Sequence, residues 1–106
     1  MDRLTDGRFR LDMGKEQMKK TGFRYDREMD CYIYRFPAYK HNGVPLVFCR
    51  LLVDRGTQTV RFGVYESNGM LYYPYYEREY GRNEIVSRIE EAILSELHRL
   101  GAVEVA

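Results

Sequence analysis

Tryptophan is absent from the 106 residues, and proline, cysteine and histidine occur three, two and two times. Each shortage excludes something. Three prolines against 44% hydrophobic residues leave no proline-rich linker and enough apolar surface to fold. Two histidines and two cysteines, none at ligand spacing, give no metal site. Apolar runs reach only four or five residues, far short of the roughly 18 that cross a bilayer. Met1 is followed at once by Asp2, Arg3 and Asp6, without a signal or lipidation pattern. A cytoplasmic protein with no membrane partner is the expectation. Neither charge dominates: Lys plus Arg is 17 and Asp plus Glu 16. That balance excludes a strongly basic nucleic-acid coat and an acidic tail.

Enzyme constellations are missing too. Glycines such as Gly7, Gly14 and Gly22 stand singly, as turn or cap residues and not as a phosphate loop. Ser67, Ser87 and Ser95 have no histidine at a recognisable spacing, so no nucleophile and base pair up. His41 falls in a turn and His98 at a helix end. Glu90 and Glu91 are adjacent on a helix and point different ways, and Glu77 and Glu79 suit surface ion pairs. A non-catalytic protein without cofactor is expected.

What the chain has in excess is tyrosine and arginine. Ten tyrosines accompany five phenylalanines, and 13 of the 17 cations are arginine. The length suits one α+β domain over 1–106, with an N-terminal segment (1–22), an antiparallel sheet (23–81) and a C-terminal helix with tail (82–106).

The helix is the clearest element. Asn83 is a good N-cap, Glu84 follows, and Ile85, Val86, Ile89, Ile93, Leu97 and Leu100 recur at three- and four-residue steps. Glu90, Glu91, Glu96 and Arg99 take the other side, and Gly101 is the expected stop. Upstream, the turns His41-Asn42-Gly43, Asp54-Arg55-Gly56-Thr57 and Ser67-Asn68-Gly69 separate four strand-like runs, 31–40, 44–53, 58–66 and 70–77. Such short turns join antiparallel neighbours, which predicts a meander with the first and last runs at its edges. Pro37 and Pro74 fall in those two runs, where a missing N–H is tolerated. Nearer the start, Asp12 caps a short helix over about 13–21, and 23–26 pairs with 31–34 across a turn. Before it, Phe9 and Leu11 alternate with Arg8 and Arg10, as in a strand or extended arm.

With two-residue turns at both Asn-Gly pairs, and two or four residues in the middle loop, the runs acquire two faces. One holds Tyr32, Tyr34, Phe36, Ala38, Val47, Cys49, Leu51, Val53, Val60, Phe62, Val64, Leu71, Tyr73 and Tyr75, and the C-terminal helix should bury it. The other reads, strand by strand, Arg35–Arg50–Arg61–Tyr76, then Pro37–Phe48–Gly63–Pro74, then Tyr39–Leu46–Tyr65–Tyr72. A three-residue turn at Gly43 would instead shift the first run and reverse its faces. Cys31 and Cys49 sit five residues apart along paired strands, about 17 Å at strand rise, so both are buried free thiols.

Three arginines abreast repel one another, so something negative is expected near them. The candidate binding face is therefore Arg35, Arg50, Arg61, Tyr39, Tyr65, Tyr72, Tyr76 and Phe48. This face, or an edge strand, suits a protein partner, a second copy of the chain foremost, because tyrosine and arginine anchor interfaces. The tyrosine-rich edge runs would be shielded in a dimer. RNA or single-stranded nucleic acid is the second reading, since aromatics stack bases and arginines meet phosphates. A small anionic ligand is a third. A purely structural alternative has the N-terminal segment fold over the face, Phe9, Leu11, Met13 and Met18 filling it and Asp12 or Glu16 meeting the arginines.

The order of helix, Gly22-Phe23, antiparallel meander and C-terminal helix is similar to that of small double-stranded-RNA-binding-like domains, among them toxin ribonucleases of toxin–antitoxin pairs. Those toxins carry a catalytic histidine in an early strand, and the strand-like runs here hold none. The resemblance implies a fold and no activity.

Overall fold

The computed structural model describes residues 7–77 and 84–105. The expected α+β class is what the protein has. Its elements are β1 (Phe9–Arg10), α1 (Lys15–Thr21), β2 (Arg24–Asp26), β3 (Cys31–His41), β4 (Val44–Asp54), β5 (Thr59–Glu66), α2 (Tyr73–Tyr76), α3 (Glu84–Leu100) and β6 (Val103–Glu104). The six strands form one antiparallel sheet in the order β2-β3-β4-β5-β1-β6.

The β3–β4 hairpin forms as its Asn-Gly pair predicts. His41 ends β3 opposite Val44, and Asn42 and Gly43 take φ of 49° and 78°, the left-handed pair of a two-residue turn. The middle loop takes the four-residue option: β4 ends at Asp54, β5 begins at Thr59, and Gln58 N–H donates to the Asp54 carbonyl. Asp54 also accepts from the Gly56 and Thr57 amides and the Thr57 hydroxyl, which hold its carboxyl below the usual range.

The fourth run departs from expectation. Its turn uses three residues, with Glu66 N–H donating to Met70 and Leu71 bridging Tyr65. Tyr72 then bonds Val64, and the chain coils into α2, with Pro74 in the first turn where its missing N–H costs nothing. Pro74 thus marks a helix start and not an edge strand. The outer edge of β5 is filled instead by β1, which pairs Phe9 with Val60. Beyond it, β6 pairs Val103 with Arg10.

The buried apolar side chains of the sheet lie on one side, Cys31 excepted. Phe9, Tyr32, Phe36, Ala38, Val47, Cys49, Leu51, Val53, Val60 and Val64 meet Ile89, Ile93, Leu97 and Leu100 of α3. Leu11, Met18 and Phe23 join the same core. Each large side chain so covered contributes about 1.5–3 kcal/mol. Glu90, expected on the outer side of α3, is buried at 9% exposure. α3 stops as expected: Gly101 takes φ 88°, and Ala102 N–H reaches back to the Leu97 carbonyl. The expected N-cap, Asn83, lies outside the described residues.

Two polar ties fix the layers. The Tyr34 hydroxyl donates to Glu96 of α3 at 2.6 Å, and Arg99 clasps Glu96 at 2.7 and 2.8 Å. Arg99 and the Tyr34 hydroxyl hold the Glu96 carboxyl below its usual range. At the other end Asp30 accepts from Tyr25 and, at 2.7 Å, from Arg55, which joins the β2–β3 turn to the β4–β5 loop. α1 is shorter than expected and begins after Gly14. Asp12 pairs with Arg10 at 2.9 Å and does not cap it.

Candidate functional site

Residues opposite one another on paired strands share a face, so the register defines what the uncovered side carries. One row is Arg24–Ile33–Leu52–Arg61. The next is Arg35–Arg50–Gly63, and the third Pro37–Phe48–Tyr65–Leu71. Arg24, Arg35, Arg50 and Arg61 are exposed, while Ile33, Leu52, Phe48 and Tyr65 are half-buried.

The expected Arg35–Arg50 opposition is present. Arg61 is not their neighbour in that row. The four-residue loop moves β5 by two residues relative to the predicted pairing, which keeps its faces but sets Arg61 opposite Leu52 and Gly63 opposite Arg50. The like charges are relieved within the sheet by aromatic rings. Each guanidinium lies diagonally over an aromatic ring, Arg35 at 3.6 Å from the Phe48 centre and Arg50 at 4.7 Å from that of Tyr65. Such stacking offsets repulsion through the negative ring face.

Gly63 makes the second stack possible. The Tyr65 ring folds back over it, and a Cβ there would lie 2.5 Å from the Tyr65 hydroxyl oxygen. The signal for this was a glycine inside a strand, which marks a close approach.

Three predicted members of the face go elsewhere. A bulge at Ala38 sets Tyr39 opposite Val47 and packs it against the helix-side core. The three-residue turn sends Tyr72 to that core as well, where burial and then the nearby Tyr39 and Glu66 raise its phenol's pKa. Tyr76 ends α2, and its hydroxyl accepts the Val64 N–H at 2.8 Å, satisfying the β5 edge. What remains together is Arg35, Arg50, Phe48 and Tyr65, with Arg61 one row away. Arg24, Ile33 and Leu52 are additions.

The N-terminal segment does not cover this face within the described residues. Phe9, Leu11 and Met18 enter the helix-side core, with Met13 packed against it. Arg8, Arg10, Arg55, Arg88 and Arg99 each meet a carboxylate. Arg24, Arg35, Arg50 and Arg61 meet none among the described residues. The nearest carboxylates on this face, Asp26 and Asp54, flank Cys31 in the row beside Arg24 and Arg61 and form no ion pair with the four arginines.

No other chemistry gathers here. Among the described residues, no three histidine, cysteine or acidic side chains cluster as metal ligands would. Cys31 and Cys49 are free and fully buried, and burial pushes both thiols up. No described helix is long and apolar enough to cross a membrane.

No family model and no curated protein matches the chain. Among solved structures it is similar to a DUF1831 family protein from Lactobacillus plantarum, with a TM-score of 0.56 and 12% identity over 96% of this chain and 93% of that one. At that identity the likeness is one of fold.

Proposed function

We propose that the protein is a small non-catalytic interaction domain whose arginine and aromatic sheet face binds a macromolecular partner. One observation carries this reading. α1, α3 and the side chains of Phe9 and Leu11 pack on the opposite side, leaving four arginines without an ion-paired carboxylate beside Phe48 and Tyr65. Aromatic and arginine anchors with half-buried apolar neighbours compose binding surfaces.

A second copy of the chain is a poor occupant. A two-fold contact sets a patch against itself, which would bring the arginines of both copies together. The free length of β3 also resists edge pairing, since Pro37 lacks a donor and the Ala38 bulge breaks the ladder.

Photo-crosslinking in the source cells tests the reading. A benzophenone side chain replacing Leu52 should capture a macromolecule, one replacing exposed Ser95 on α3 should not, and Arg50→Glu should reduce capture at 52. Equal capture at both positions, or none at 52, would refute the surface.

A further inference from the structure

We infer that the partner of this face is single-stranded nucleic acid, bound with little sequence preference; the inference rests on the face being a binding surface. Charge is the first support. The four cations of the face are all arginine, whereas Lys15, Lys19 and Lys20 lie on α1 and Lys40 near the end of β3. A guanidinium presents a planar fork that matches phosphate oxygens. The four arginines are spread over β2, β3, β4 and β5, so a backbone crossing the sheet meets a cation on each of these strands.

Stacking is the second. Phe48 and Tyr65 are directly opposite near the middle of the sheet, each under a guanidinium. Bases stack on guanidinium planes as they do on rings, and with a guanidinium over each ring the outer plane offered to a base is that of Arg35 or Arg50. An acidic polypeptide would satisfy the charges and leave those planes unused. A duplex would hide its base faces from them.

The third support concerns selectivity. Apart from arginine, the three rows hold only Ile33, Leu52, Gly63, Pro37, Phe48, Tyr65 and Leu71, and the carboxyl groups of the face, Asp26 and Asp54, are confined to the end row with Cys31, away from the stacked rings. Sequence tolerance follows.

The experiment is fluorescence anisotropy of the intact protein with oligouridylate and oligothymidylate of about 12 nucleotides, within the usual single-strand site size. With three or four phosphates neutralised, raising salt from about 50 to 200 mM should weaken binding roughly 20- to 50-fold. Arg50→Gln or Arg61→Gln should lower affinity and flatten the salt dependence. Tyr65→Leu should weaken binding roughly fivefold or more while leaving the salt slope unchanged. Lys19→Gln should change neither, and circular dichroism of each variant checks folding. Three results overturn the inference: no binding of either oligonucleotide with protein at about 100 µM in low salt, equal binding of poly-glutamate, or an equal loss with Lys19→Gln. If any of these occurs while crosslinking at position 52 persists, the face stands as a protein-binding surface. Loss of both results removes the face itself.

Discussion

The ring of Tyr65 occupies the space that a side chain at Gly63 would need, with three of its atoms within 2.8 Å of where a Cβ would stand. A glycine in a strand interior ordinarily weakens it by roughly 0.5–1 kcal/mol relative to alanine. Here the same absence seats the ring under Arg50.

The sign of Gly63→Ala should therefore depend on position 65. With Tyr65 present, the alanine evicts the ring and gives no gain in stability. In a Tyr65→Ala background it should stabilise by roughly 0.5–1 kcal/mol. Urea denaturation of the four proteins closes the cycle, and additivity between the two sites would contradict the seating.

Arg35 and Arg50 oppose one another across β3 and β4. Arg35→Glu replaces a like-charge pair with an opposite one, at the cost of the stack on Phe48. The gain should reach up to about 1 kcal/mol, so this variant should melt at or above the wild-type temperature while binding less. A clear drop in melting temperature would mean that the stack outweighs the repulsion.

Acid should act on the tie between the sheet and α3. The Glu96 carboxyl is held below its ordinary range by Arg99 and Tyr34, so the folded state binds its proton less readily than the unfolded chain. The resulting stability is present above the ordinary carboxylate value and is lost as pH falls through the lower folded one. Between roughly pH 5 and 3, wild-type stability should fall more steeply than that of Glu96→Gln. Asp30 and Asp54 shift in the same direction and are common to both proteins. Parallel curves would exclude the tie.

Both thiols should resist modification. Cys31 and Cys49 are fully buried, so an aromatic disulfide reagent should titrate neither in the folded protein and both in denaturant. Reaction in the native state would show that the register setting Cys31 opposite Asp54 and Cys49 opposite Phe36 is wrong.

The local parts of the fold were legible because local residues decide them. Asn42-Gly43 favours the two-residue turn over the three-residue one that was also open, and Arg35 opposes Arg50 as that turn requires. The spacing from Ile85 to Leu100 defined α3 because a single helix period had to match one apolar face. The loop after Asp54 offered two lengths of equal parity, so the faces of β5 were right and its pairing was two residues off. The turn at Asn68-Gly69 took an odd number of residues, which reversed Leu71 and Tyr72. Tyr39 was misplaced by a bulge with no signature in composition. β1 and β6 have two residues each, too few for alternation to show. Only the finished sheet reveals that the N-terminal segment leaves the arginines uncovered.

The pairing of Phe9 with Glu104 joins residues from nearly opposite ends of the chain. A closure that long carries the largest entropy cost in the sheet, and it cannot occur on the ribosome until Glu104 has emerged. The β1–β6 margin should be the last part of the sheet to zip and the first to exchange its amide hydrogens. Arg35, Arg50, Phe48 and Tyr65 instead belong to strands joined by loops of two and four residues. The face proposed to bind a partner is thus assembled early, while fraying is expected first at the β1–β6 rim.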